Sequence, residues 1–251
     1  MAELPLQAPS IVLDQVSVCF EGISLFERLS ITIRAGECTC ILGPSGCGKS
    51  TLLRLVAGST AVPFKGEMRI LAEDPAQAKV AWMGQDDLLL PWFTLLDNIL
   101  LGARLRGEVT PQRREKALGL LKAAGLEGYA QSFPGTLSGG MRQRGALLRT
   151  LMEERSILLM DEPFSALDAL TRLKLQELSA DLTRGATVLL VTHDPLEALR
   201  MADTILVLSQ GPARVKSVVS LTGRPPRAVD SPEISKHYPV LLGELLAGEA
   251  S

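Results

Sequence analysis

The stretch Gly43-Pro44-Ser45-Gly46-Cys47-Gly48-Lys49-Ser50-Thr51 constrains the fold more than any other part of the chain. Its spacing, G-x-x-x-x-G-K-S, is meaningful where a strand precedes it and a helix follows. Both are expected here. Cys38 to Leu42 is a short apolar run of strand type, and after Lys49 the residues Leu52, Leu53, Leu55 and Val56 share a helical face. Glycines let the backbone wrap closely, so that amide N–H groups point at phosphate oxygens, and the helix N-terminus adds partial positive charge. In such a loop Lys49 reaches the β- and γ-phosphates of a nucleotide, and the Ser50 hydroxyl ligates Mg²⁺. Cys47 has no required role and reads as a small filler.

A second polar feature ends a buried strand. Ile157-Leu158-Leu159-Met160 runs straight into Asp161 and Glu162. Open α/β sheets bind ligands at the carboxyl ends of their strands, so both acids are expected to face the phosphate loop. Asp161 is placed for the Mg²⁺ shell. Glu162, one residue on, can orient or deprotonate an attacking water.

The rest of the chain alternates strand and helix patterns. Strands are expected over Ile11–Phe20, Leu29–Ile33, Gly66–Leu71, Val80–Met83, Val188–Val191, Thr204–Leu208 and Val215–Leu221. Helical spacing covers Thr94–Leu105, Pro111–Ala124, Gly139–Met152, Leu167–Leu182 and Ser231–Ala247. The reading is an α/β fold in a single domain. Residues 10–85 and 155–222 form a mainly parallel core sheet with an antiparallel β portion at the N-terminal end. Residues 86–154 form an inserted helical subdomain, and 223–251 a helical tail.

Composition narrows the context. Lys and Arg number 26 against 28 Asp and Glu, a formal charge of −2, so no basic field argues for nucleic acid. No run approaches the ~18 consecutive apolar residues of a membrane span. Met1–Ser10 lacks the basic start and apolar run of a secretory signal. Cys19, Cys38, Cys40 and Cys47 fit no zinc spacing, and Cys38 and Cys40 alternate as one strand face does, which points to a reducing compartment.

Phosphate loop and carboxylates are common to many nucleotidases; the class comes from Leu137-Ser138-Gly139-Gly140-Met141-Arg142-Gln143-Arg144, which resembles the signature motif of ABC ATPases. Met141 stands where the motif usually has Gln, and the Ser-Gly-Gly core is intact. The resemblance spans the whole chain and implies further roles. Gln85 matches the Q-loop glutamine, a Mg²⁺ ligand and a sensor of the membrane partner. Ser165-Ala166-Leu167-Asp168 matches the D-loop, and His193 the switch histidine at the γ-phosphate. Phe20, 29 residues before Lys49, resembles the aromatic residue that stacks on adenine, with a core role as the alternative. Ser138, Gly139 and Gly140 read as a capped helix start with free N–H groups. In the family this second anion site, with Asp168, serves the nucleotide of the other subunit, so an ATP-bound homodimer is implied. His237, in the tail, reads as a solvated helix residue.

Gln85-Asp86-Asp87-Leu88-Leu89-Leu90-Pro91-Trp92-Phe93 carries two of the chain's ten aromatic residues. It reads either as subdomain core or as an apolar contact, through Leu88, Leu89, Leu90, Pro91 and Trp92, for a helix of a membrane permease. This segment, the signature and Met160–Asp168 together resemble the nitrate/sulfonate/taurine importer ATPases, and Trp82–Trp92 resembles the hydroxymethylpyrimidine (thiamine precursor) branch. The resemblance implies a peripheral subunit on the cytoplasmic face of the cell membrane, coupled indirectly to an external solute-binding protein. A soluble ABC switch acting on DNA or ribosomes is the alternative; tandem units, coiled-coil insertions and basic extensions, which usually mark it, are not seen. The 48 residues after Asp203 leave no room for the regulatory domain of some sugar-importer relatives.

Overall fold

The computed structural model describes residues 8–20, 22–59, 63–74 and 78–249. The N-terminal segment read above for a secretory signal lies outside them up to residue 7. Two sheets form the frame. In the first, β1 (Ser10–Phe20) lies between β2 (Ile23–Ile33) and β4 (Phe64–Leu71), antiparallel to both. The second has six strands in the order β5 (Val80–Met83), β6 (Ile157–Asp161), β7 (Thr187–Thr192), β3 (Cys38–Leu42), β8 (Thr204–Leu208) and β9 (Val215–Ser220). All its pairings are parallel except β8–β9.

The period-two alternation of the buried strands sorts their residues into two cores. Cys40 and Leu42 of β3, Leu158 and Met160 of β6 and Leu190 of β7 face one side; Ile41, Leu159, Leu189 and Val191 face the other. On the second side lie α1 (Lys49–Val56) and the antiparallel sheet, including Phe26, Ile11 and Ile33. On the first side, between β5 and β6, lie α2 (Leu95–Ile99), which α3 (Leu101–Leu105) follows through the shared residue Leu100, then α4 (Pro111–Ala123) and α5 (Gly139–Leu151). The inserted helices therefore share a continuous core with the parallel sheet. Cys38 and Cys40 both face that core, as their alternation implied. Among the described residues no helix is long and apolar enough to cross a membrane.

Several elements differ from expectation. β2 begins at Ile23, six residues early, because it follows β1 through a register shifted at three points. The Thr94–Leu105 pattern is two short helices meeting at Leu100. α6 (Ala169–Leu182) starts after Asp168, whose side chain caps it. α7 (Pro195–Met201) has no counterpart among the expected helices, although Asp194 and Pro195 are its cap and first residue. The tail helix, α8 (Pro232–Glu249), contains Pro239. On it His237 is half-buried and 3.7 Å from Glu233, one turn back, so it is not the freely solvated residue expected.

Candidate active site

The phosphate loop joins β3 to α1, and its geometry explains its glycines. Gly48 caps α1 at φ +98°, a left-handed value that side chains disfavour, and a Cβ there would stand 2.8 Å from Cζ of the buried Phe26. A Cβ on Gly43 would meet the Leu208 carbonyl at 3.1 Å. Cys47 is buried against this loop, which suits a filler. Lys49 is also buried, and its Nζ donates to the carbonyls of Gly43 and Pro44, both at 2.7 Å. An ammonium has three donors, so this clamp leaves one N–H for a phosphate.

Asp161 ends β6 with only 4% of its surface exposed. The Ser50 hydroxyl hydrogen-bonds its carboxylate, and its other neighbours include Lys49 and Glu162. Burial pushes its pKa up, against the Ser50 bond and Lys49, which pull it down. Its Oδ1 is buried without a hydrogen-bond partner. Glu162 follows at φ +49°, strained for a residue with a side chain, and is held there by its backbone. Its N–H donates to Val191 O at 2.9 Å, and its carbonyl accepts from Gln143 Nε2 and Ser165 Oγ, each at 3.0 Å. The kink leaves the carboxylate 3.1 Å from Nδ1 of the exposed His193, beyond the end of β7.

A cavity of about 260 Å³ opens over the loop. Ser45, Gly46, Gly48, Lys49, Ser50 and Thr51 line it together with Gln85 and Glu162. The structure thus gathers the loop, Gln85 and Glu162 around one space, with Asp161 behind Ser50 and His193 against Glu162. Other expected residues are not in that lining. Phe20 is exposed at the end of β1, and the core position belongs to Phe26. Ser138 caps α5, accepting from Met141 N at 3.3 Å, with Gly139 exposed beside it. Gly140 packs so close to the Ala166 carbonyl that a Cβ would stand 3.0 Å from it. Asp168 accepts from Thr171 N at 3.0 Å, a bond that holds its carboxyl below the usual range.

A phosphate cradle with buried acid behind it fits any nucleotidase of this fold, so the comparison with known proteins is decisive: the ABC transporter family matches residues 26–165. The chain belongs to that family. It is 41% identical over 237 residues to an uncharacterized ABC transporter ATP-binding protein of Haemophilus influenzae, covering 93% of this chain and 97% of that one. With the taurine import ATP-binding protein TauB of Yersinia pseudotuberculosis it shares 40% over 239 residues, covering 90% and 93%. Among solved structures, the dimeric ATP-binding cassette MJ0796, in a post-hydrolysis state bound to ADP and Pi, matches with a TM-score of 0.74 and 32% identity. That match covers 85% of this chain and 99% of the cassette. The chain is an ATP-binding ABC ATPase of transporter type.

In this ABC ATPase the helix after the signature does more than the sequence disclosed. Gln143 is buried and, besides the Glu162 carbonyl, bonds Ser165 Oγ at 3.0 Å and accepts from Ala166 N at 2.8 Å, so α5 carries the turn that kinks Glu162. Arg142 donates to Asp87 Oδ2 at 2.9 Å, and Arg149 to the carbonyls of Leu88 and Asp87 at 2.7 and 2.8 Å. Asn98, fully buried, accepts from Leu90 N at 2.7 Å and donates to the Leu90, Phe93 and Thr94 carbonyls. The segment after Gln85 is therefore latched from two sides. Its apolar residues divide. Leu88 and Trp92 are 66% and 68% exposed and Pro91 is exposed, whereas Leu89 is in the core beside Leu95 and Leu90 is half-buried. Leu89 is thus withdrawn as a surface contact: the Arg149 and Asn98 bonds turn it inward, against the gap left by Gly145.

Proposed function

We propose that the chain is the ATP-hydrolysing subunit of an importer, lying peripherally on the cytoplasmic face of the membrane and driving a separate permease. The observation that carries this is the latched segment after Gln85, which displays Leu88, Pro91 and Trp92 to solvent while Gln85 itself lines the nucleotide cavity. An exposed apolar loop in rigid connection with the site is what a permease helix needs to sense ATP. It also disfavours the soluble-switch reading, under which this display has no use. The relationship to a taurine import protein supports import, with a solute-binding protein acting upstream of the permease.

In this reading Glu162 takes the proton of the attacking water, and His193, 3.1 Å away, holds that carboxylate and meets the γ-phosphate. Lys49 neutralises β- and γ-phosphate charge, and Phe20 stacks on adenine. Residues 86–154 act as the lever subdomain, 10–85 and 155–222 as the nucleotide core and 223–251 as the tail. The buried, unpartnered Asp161 Oδ1 beside the Ser50 hydroxyl suits a hard cation, and with Gln85 gives an all-oxygen donor set for Mg²⁺. Bound there, Mg²⁺ would neutralise charge between the β- and γ-phosphates.

For the solute, a taurine-like sulfonate is the class to test first; hydroxymethylpyrimidine has the Trp82–Trp92 resemblance alone behind it. Lys49→Ala should abolish ATP turnover, and Glu162→Gln should bind ATP while turning it over at least ~100-fold more slowly. The Glu162→Gln chain is then used to retain its permease from detergent-solubilised membranes with ATP present, and the recovered complex, with wild-type chain, is assayed for uptake of labelled taurine, nitrate and hydroxymethylpyrimidine. ATP-dependent retention of a polytopic membrane protein supports the importer reading; retention of ribosomal or DNA-bound partners alone overturns it.

A further inference from the structure

The two turns that flank the catalytic groups are joined by one side chain to which the family comparison assigns nothing. Arg172 lies one turn into α6. Its Nη1 donates to Asp194 Oδ2 at 3.1 Å, and its Nη2 donates to the Leu167 carbonyl at 3.2 Å. Asp194 directly follows His193, and Leu167 directly precedes Asp168. Among the described residues Arg172 alone hydrogen-bonds both turns.

The contacts close into a ring. The Glu162 carboxylate meets His193, and the peptide leads from His193 to Asp194. Arg172 links Asp194 to Leu167, and the chain runs back to Ser165, whose hydroxyl donates to the Glu162 carbonyl at 3.0 Å. Asp194 is itself fixed on three sides. Its N–H donates to Thr192 Oγ1 at 3.1 Å, and its Oδ1 accepts from Leu196 N at 2.8 Å and Glu197 N at 3.3 Å, capping α7. A shift of the Leu167–Asp168 turn therefore has a short, stiff route to His193. The planar guanidinium suits this task, because its N–H groups diverge at fixed angles and can hold two acceptors at once. A lysine ammonium keeps the charge toward Asp194 but lacks that fork. Arg172 also has a buried Nε without a partner, a cost that a surface ion pair would not need.

We propose that Arg172 is a positioning residue for ATP hydrolysis, a strut that sets His193 against Glu162 and transmits the placement of the Asp168 turn to it. This rests on the catalytic reading of Glu162 and His193 given above. The phosphate loop is no part of the ring, so loss of the strut should spare nucleotide binding and strike the chemical step.

The test compares steady-state Mg-ATP hydrolysis and thermal unfolding of the full chain in wild type, Arg172→Ala, Arg172→Lys and His193→Ala. Arg172→Ala should lower kcat by roughly tenfold or more, the scale of a small misplacement of reacting groups. KM for ATP should stay within about threefold, since the phosphate loop, which holds the nucleotide's phosphates in this reading, lies outside the ring. Arg172→Lys should fold like wild type yet recover less than about a third of kcat, for want of the fork. If Arg172→Ala fails to fold, Arg172→Lys decides. Full kcat in either folded variant, or a loss in KM rather than kcat, overturns the strut while an inactive His193→Ala leaves the catalytic reading intact. Wild-type hydrolysis by His193→Ala instead overturns the catalytic reading and the strut with it.

Discussion

Glu197, four residues beyond His193, has 3% of its surface exposed and a carboxyl that burial pushes up to about 8, against the pull of a Thr192 hydrogen bond. Between its unperturbed 4.5 and about 8 the folded chain keeps a proton that the unfolded chain releases. Stability from this group is therefore full at acid pH and falls as pH rises through that window. Glu197→Gln keeps the shape of the neutral acid and removes the titration. The variant should match wild type near pH 4 and exceed it by about 1 kcal/mol or more near pH 8.5, since a tenfold difference in proton affinity between the folded and unfolded chain is worth about 1.4 kcal/mol. Urea titrations at both pH values check this, and parallel stability curves would refute it. A second residue-scale expectation concerns Gly48. With φ +98° and Phe26 Cζ 2.8 Å from any Cβ, Gly48→Ala must distort the loop. Strain of roughly 1–2 kcal/mol should appear as about a tenfold loss of ATP affinity by calorimetry; unchanged affinity would show that the loop has slack the geometry denies. The Gly48 position was legible in the sequence because its spacing has a physical reason. Glu197 was not, since a glutamate in a helix that the apolar spacing does not announce gives no sign of burial.

At the scale of elements, α5 is where sequence reading stopped short. Its start could be read from Ser138-Gly139-Gly140, and its length from the apolar spacing through Leu151. Helical periodicity tells which face is buried but not which polar residue reaches which loop, so Gln143, Arg142 and Arg149 gave no signal of what they hold. Asn98 is the same case on α2. With both ends of its amide engaged by the segment Leu90 to Thr94, it is a buried polar residue fully satisfied by backbone. Asn98→Leu keeps the volume but orphans the Leu90 N–H and takes the amide donor from the Phe93 carbonyl, whereas the Leu90 and Thr94 carbonyls keep backbone donors, so a loss of about 1–3 kcal/mol is expected in urea unfolding. The segment around Trp92 should also become a preferred site of limited proteolysis in the folded variant. A stable Asn98→Leu chain with the wild-type cleavage pattern would show that Arg149 and the Leu89 packing suffice to hold the segment.

At the scale of the whole molecule, the strand order β5-β6-β7-β3-β8-β9 puts the ends of β3, β6 and β7 side by side, which is why residues as distant in sequence as Lys49, Glu162 and His193 meet. The site they form is one-sided: the cavity over the phosphate loop takes no lining from Ser138, Gly139, Gly140 or Asp168. Ser138 instead opens α5 with a hydroxyl cap and the exposed Gly139 beside it, the kind of helix start that suits an anion. We propose that the two halves meet between chains; the matched cassette is itself a dimer bound to ADP and Pi. Ser138→Asp separates this arrangement from a purely structural cap. Aspartate caps a helix about as well as serine, so α5 should hold, while its charge repels a phosphate presented by a second chain. In a Glu162→Gln background, which keeps ATP intact, the parent should elute as a dimer with ATP and as a monomer without it. The Ser138→Asp derivative should bind ATP with similar affinity and remain a monomer, because its own phosphate loop is unchanged and only the face it offers to a partner has altered. Equal dimerisation of the two would place Ser138 outside the shared site, and loss of ATP binding by the derivative would place it in its own chain's site.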